Sequence, residues 1–498
     1  AAFDAQSRTR SGRSGGGGKS SADPTKLSTF VTNSRGMNNR LETEVVAVQN
    51  AWAGFVGACS WVSFGTVSFA TGFGRMVSEN KADAMWVERI ADQFEKAGGG
   101  GVLNSELNKA HKSTVLDIAS GKKFKDLLNG KLSPEEVAEY WGPLGLTAQN
   151  GESLPPETQS KLASMSGLPA WAQDAAGQEF VDYALKHPEA AYNMMGFDNP
   201  DIDPISLEDF KTQLAGIKTE INDATKRSKR LNGGTGDVVQ LVDFGNHDGV
   251  LAAGISIGDL DTATNIGVNV SGMNSSAKDM TNGDKAAHEL HKAAYRKDPG
   301  SSYAVVNWVG YRSPGESDVF GMGHANSGSG RLVDFLNGIN ASRTEGGNSP
   351  QQFNVYAHSY GSTTAAQALK SGDLHFKVDR LVTYGSAGLE NDTTIDEIKV
   401  GAEKVYSTHA DGDWWAKKGQ LGEKGVNPID IGAIEFSSAE SVAADGKTKL
   451  KATTMHNMYS EEDRPTFWNK DGTVGYLSPG STSLDRMANL LVNGTATK

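Results

Sequence analysis

Ser359 stands in the string Val355-Tyr356-Ala357-His358-Ser359-Tyr360-Gly361-Ser362, an apolar run that ends in a serine and restarts as a run of small residues. A serine hydroxyl is a weak nucleophile until a base takes its proton, so it needs a histidine nearby and an acid to orient that histidine. Small residues two positions before and after the serine permit a sharp strand-to-helix turn that lifts the hydroxyl clear of the backbone. Gly361 fills the second place, and Ala357, one methyl group larger than glycine, fills the first. Farther along, Asp411 and Asp413 lie in Thr408-His409-Ala410-Asp411-Gly412-Asp413, and His456 lies in Met455-His456-Asn457-Met458. The chain order is therefore serine, acid, histidine. Ser359 reads as the nucleophile, His456 as the base and Asp413 as the acid, with Asp411 as the alternative because the two share one short loop. His358 and His409 read as packing or loop residues.

Acyl transfer to a serine builds a negative oxygen, and donors already in place stabilise it best. The Tyr360 N–H, just past the serine, is one such donor. The loop Ser271-Gly272-Met273 offers the second, from Gly272 or Met273, which the sequence does not separate. Trp414 and Trp415 follow the acid directly and are candidates for a substrate pocket or for packing. This chemistry calls for no metal or organic cofactor, and the single Cys59 excludes an internal disulfide and any cysteine-rich metal site.

Such residues need a scaffold of strands whose ends converge. From about residue 235, short apolar runs alternate with helical patterns: 238–242, 249–255, 266–270, 303–309, 353–357, 380–384 and 404–408 read as strands, with helices around 286–290 and 330–336. That rhythm predicts an α/β fold with a mainly parallel sheet, Ser359 sitting between a strand and a helix. The catalytic domain is expected over 230–498, after the Asn232-Gly233-Gly234 boundary.

The amino half differs. Residues 1–22 are polar and glycine-rich and read as a flexible tail; Gly15-Gly16-Gly17-Gly18-Lys19-Ser20 imitates the end of a phosphate loop, but Arg13 occupies the place of its first glycine and no strand precedes it. Residues 23–100 read as a helical region opening at Asp23-Pro24 and closing at Gly98-Gly99-Gly100, and Trp52-Ala53-Gly54 resembles the turn of small helical hairpins exported by the actinobacterial type VII route. Residues 45–74 carry no charge, yet Gln49, Asn50, three serines and five glycines dilute them, so a glycine-hinged helical pair is expected and not a membrane span. Residues 101–229 read as a helical scaffold or cover, with Trp141, Leu144, Leu162, Leu168, Trp171 and Phe180 as anchors against a neighbouring sheet. A net charge of -12 argues against nucleic acid as a partner. No secretory signal is visible at the amino end, which leaves cytoplasmic residence and unconventional export both open.

Several blocks together resemble an actinobacterial family of α/β-hydrolases of poorly characterised function. They are Gly167-Leu168-Pro169-Ala170-Trp171, Gly258-Asp259-Leu260-Asp261-Thr262-Ala263, Val306-Asn307-Trp308-Val309-Gly310-Tyr311, the serine turn, Tyr384-Gly385-Ser386-Ala387-Gly388 and His456-Asn457-Met458-Tyr459. The resemblance covers roughly 140–465. It implies an α/β-hydrolase fold, Ser359, Asp413 and His456 in the catalytic roles, and hydrolysis of ester or lipid substrates. A serine peptidase or amidase, and a noncatalytic binding or export-associated protein, are the alternatives.

Overall fold

The computed structural model describes residues 154–231 and 238–498, apart from 279, 399, 401–403, 461–472 and 497–498. In the amino-terminal part it describes 19–20, 22–58, 102–103, 126–141 and single helical residues between 84 and 95. An eight-stranded sheet organises the chain. Its strands are β1 (Val239–His247), β2 (Val250–Ile257), β3 (Asn265–Val270), β4 (Tyr303–Val309), β5 (Gln352–His358), β6 (Arg380–Tyr384), β7 (Val405–Thr408) and β8 (Ile434–Glu435), in the spatial order β8-β7-β6-β5-β3-β4-β2-β1. β2 runs antiparallel to both β1 and β4, and every pairing from β4 across to β8 is parallel.

Helices cover both faces, which is why Tyr-Ala-Val-Val-Asn-Trp-Val of β4 is buried throughout and reads as an apolar run without alternation, broken by Asn307. One face packs against α4 (Ala170–Lys186), α6 (Leu207–Leu231), α7 (Thr281–Lys297) and α11 (Thr482–Val492), the other against α8 (Gly323–Glu345) and α9 (Tyr360–Lys370). β3 sits between β4 and β5, so the chain reverses its direction of travel across the sheet there. A crevice opens outside the carboxyl ends of strands at such a reversal.

The helices before the sheet are part of its core. Phe180, Phe210, Leu214 and Ile217 are buried in one apolar cluster with Leu241, Phe244 and Ile255. Backbone recognition reinforces the packing: the Asp261 carboxylate accepts the N–H groups of Ala170 and Trp171 at 2.7 and 2.8 Å, Asp174 accepts that of Leu241, and the Gln173 carbonyl oxygen accepts that of Asp243. The first caps α4, whose opening turn lacks a side-chain cap of its own. Of the expected sheet anchors only Phe180 reaches that core. Trp141, Leu162 and Leu168 join α2 (Pro134–Trp141), α3 (Pro156–Ala163) and α4 in a separate cluster, with Trp171 partly buried beside it, because α2 stacks on α8 instead of on the strands. Leu144 lies outside the described residues.

Two other expectations differ. The helix expected near 330–336 spans Gly323–Glu345; its glycine- and serine-rich start has low helix propensity, but Gly328 lies so close to the Tyr311 ring that a Cβ there would stand 2.7 Å from it. Lys19–Ser20, inside the stretch read as a tail, pair antiparallel with Val102–Leu103. The helix expected at Asp23-Pro24 is α1 (Pro24–Ala58), where the Asp23 carboxylate accepts the N–H of Thr25 at 3.0 Å. The hinge expected beyond Ala58 and the linker 98–100 lie outside the described residues. No described helix is long and apolar enough to cross a membrane.

Candidate active site

Ser359 follows β5 directly and precedes the first residue of α9, with φ 54° and ψ -126°. Side chains rarely adopt that conformation, and it persists only where neighbours enforce it. They do so here: Gly361 lets α9 press against β3, since a Cβ on it would lie 2.4 Å from the Val270 carbonyl oxygen, and the Ser359 carbonyl accepts the Ala387 N–H. Ala357 is fully buried at the first small position.

The loop after β7 carries both candidate acids, and the fold separates them. Asp411 is exposed, whereas Asp413 is 1% exposed. His456 Nε2 stands 2.8 Å from Ser359 Oγ, and its Nδ1 stands 2.8 and 2.9 Å from the two Asp413 oxygens. An ionised carboxylate only accepts, so Nδ1 carries the proton and Nε2 is left to accept from the serine hydroxyl. Burial alone would raise the Asp413 carboxyl, but the hydrogen bond and charge of His456, the Ala416 N–H and the Tyr476 hydroxyl outweigh it and hold it below the ordinary value. Tyr476 donates to Asp413 at 2.8 Å and accepts the Ala410 N–H at 2.8 Å, bracing the acid loop from both ends. Gly385, at φ +55°, makes room for this group: a Cβ there would meet Asp413 Oδ2 at 2.9 Å.

His358 packs against the His456 ring with centroids 4.8 Å apart, and its Nε2 donates to the His456 carbonyl oxygen at 2.5 Å. Burial, then the neighbouring His456, push it down to about 3, so it stays neutral and acts as a prop. His409 lies deeper in the loop, with Nε2 3.3 Å from the Ser386 carbonyl.

The loop carrying Gly272 and Met273 closes over the serine. Gly272 approaches so closely that a Cβ would lie 2.7 Å from the Ser359 Cβ and 3.2 Å from the Tyr360 nitrogen. Among the described residues, the N–H groups of Tyr360, Gly272 and Met273 have no hydrogen-bond acceptor. β4 and the loop after it pin this segment: Ser271 Oγ donates to Asn307, the Tyr311 hydroxyl donates to the Ser271 carbonyl at 2.9 Å, and the Asn274 N–H reaches the Pro314 carbonyl. Behind the turn, fully buried Lys424 donates to the carbonyls of Ala387 and Gly419, and its ammonium lies 5.2 Å from the Tyr360 ring centre.

A cavity of about 390 Å³ opens at Ser359 and His456, and a second of about 10 Å³ adjoins it; Met273 and Trp415 line both. Trp414 lines neither. It is 56% exposed, with its ring stacked on that of Trp415 at 4.4 Å between centroids, because the first turn of α10 (Trp414–Gly419) points successive side chains about 100° apart. Among the described residues no cluster of three or more His, Cys, Asp or Glu could hold a metal ion.

His358 packs as its sequence position led one to expect, whereas Tyr476, Lys424 and the Tyr311 brace carry no chemical motif and were not assigned these roles from sequence. The only signal was that Tyr311 and Gly385 lie in the blocks that carry the resemblance.

The sheet, its reversal beside β3 and the serine turn define an α/β-hydrolase fold, preceded by a largely helical region. Residues 246–423 match an alpha/beta hydrolase family. An uncharacterized protein of Mycobacterium tuberculosis is 31% identical over 160 residues, 30% of this chain and 57% of that protein, and Mycobacterium bovis has a relative with the same figures. A second uncharacterized M. tuberculosis protein is 30% identical over 174 residues, 34% of this chain and 26% of that protein. The chain thus spans little more than half the length of the first relatives and about a quarter of the second. Over these segments it is similar to an alpha/beta hydrolase family and to uncharacterized Mycobacterium proteins.

Proposed function

We propose that the protein is a serine hydrolase that cleaves carboxylic esters through an acyl-enzyme. The observation that carries this reading is the unbroken relay from Ser359 Oγ through His456 to buried Asp413, with 2.8 Å at each link, on a turn that holds the serine at φ 54°. His456 Nε2 takes the Ser359 proton as Oγ attacks the carbonyl carbon. The N–H groups of Tyr360 and Met273 receive the oxyanion; Met273 is preferred to Gly272 because it borders both cavities. His456 then protonates the departing alcohol. Water, deprotonated by His456, cleaves the acyl–Oγ bond and restores Ser359. Asp413 holds the imidazole in the productive tautomer and stabilises its cation.

The test is turnover of a nitrophenyl ester panel, with an amide panel beside it, and labelling by a fluorophosphonate. Ser359→Ala should abolish labelling and lower ester turnover by roughly three orders of magnitude or more. Ser362→Ala should leave labelling intact, because that hydroxyl is buried and donates to the Ala357 carbonyl. Undiminished turnover in Ser359→Ala removes the serine from the mechanism, and amide turnover without ester turnover makes the protein an amidase.

A further inference from the structure

The two cavities that meet at Ser359 differ in size and in chemistry. The smaller, about 10 Å³, lies among Val319, Phe320, Ala387 and Gly419. That is room for about one water-sized group, so a methyl fills it and each further methylene requires Val319 or Phe320 to move. The larger, about 390 Å³, is at the small end of the range for small-molecule sites, roughly 300–1,000 Å³.

Four asparagines line the larger cavity beside Glu316: Asn307, already bonded to Ser271 and Asp284, and three exposed ones from separate segments, Asn274 after β3, Asn282 in the first turn of α7 and Asn457 directly after His456. None of these three makes a side-chain hydrogen bond among the described residues. Each offers two donors and a two-lone-pair acceptor without net charge, a set that matches hydroxyl groups, which also donate and accept. A long acyl chain lying there would take those groups out of water and return no hydrogen bond. Ser359 and His456 border both cavities, so the relay can protonate an alcohol leaving from either, and size sets the direction: only the larger cavity has room for a sugar-sized alcohol.

Resting on the esterase reading above, we propose that the substrate is a short-chain ester, an acetate first of all, of a polyhydroxylated alcohol such as a sugar. The acyl methyl occupies the small cavity and the alcohol lies among Asn274, Asn282 and Asn457. The Ser359 Oγ–carbon bond forms as the carbon–oxygen bond to the sugar breaks, and the sugar leaves with the serine's proton. Water then releases acetic acid.

Turnover of nitrophenyl acetate, butyrate and octanoate, and of ethyl acetate against a fully acetylated glucose, tests this on the full chain. Acetate should exceed octanoate in kcat/KM by at least tenfold, and the acetylated sugar should exceed ethyl acetate by a similar factor. Phe320→Ala should move the chain-length optimum to butyrate or longer. The pair Asn274→Ala and Asn282→Ala should raise KM for the acetylated sugar at least fivefold more than for nitrophenyl acetate, with fluorophosphonate labelling reporting an intact fold. Octanoate preferred by the wild type, or ethyl acetate and acetylated sugar turned over equally, overturns the substrate class and leaves the esterase reading standing. Absence of both ester turnover and labelling in the wild type overturns the esterase reading and this proposal with it.

Discussion

Asp411 and Asp413 are chemically identical and two residues apart, and only burial and partners distinguish them. Asp413 accepts from His456, Ala416 and Tyr476, whereas Asp411 faces water. Asp413→Asn should therefore cost about 10³–10⁴ in kcat by letting the imidazole settle in the wrong tautomer. Asp411→Asn should leave kcat within about twofold. Steady-state kinetics on the two variants checks this, and equal losses would return Asp411 to the relay. Tyr476 works at the same scale: its hydroxyl fixes which way the carboxylate faces.

At the scale of elements, the serine turn depends on close contact between α9 and β3. Gly361→Ala places a methyl against the backbone of Val270, which cannot yield as a side-chain tip would, so a destabilisation of about 1–3 kcal/mol is expected. Urea unfolding measures it, and an unchanged midpoint would show that the helix can move away freely. Lys424 ties the turn to the loop before β7 and to α10 through two carbonyls and the Tyr360 ring. Burial pushes its ammonium down to about 8 from an ordinary 10.5. Between those values the unfolded chain binds the proton that the folded chain has released, so this group makes stability rise with pH across that window. Lys424→Met should remove that rise, seen as a flatter unfolding midpoint from pH 8 to about 10; an unaltered slope would assign the rise to other groups.

For the whole molecule, the helices of 154–231 are one layer of the hydrolase core, not an appendage. A chain beginning at residue 230 would expose Leu241, Phe244 and Ile255, now covered by Phe180, Phe210 and Leu214, and would leave the β1 backbone without Gln173 and Asp174. Such an exposed apolar sheet face is expected to aggregate. A chain of 154–498 should instead elute as a folded species with a cooperative melt. Size-exclusion chromatography and circular dichroism compare the two, and a soluble, cooperatively melting 230–498 would show that the layer is dispensable.

The order of β1 to β7 was legible from residue types alone, because strands buried on both faces read as short apolar runs; β8, two exposed residues at the sheet edge, carries no such run. The chain by itself therefore determined the α/β class and proposed Ser359, an acid and His456 in that order as the reacting groups. Those features depend on local sterics and on periodicity, which neighbouring residues encode. Tertiary structure alone decided which aspartate meets His456, that Trp415 and not Trp414 faces the cavities, that α2 lies on α8, and that three asparagines from distant segments share one space. Each of those depends on where segments many residues apart come to rest, on which side chain water reaches and which it does not, and no local spacing carries that information.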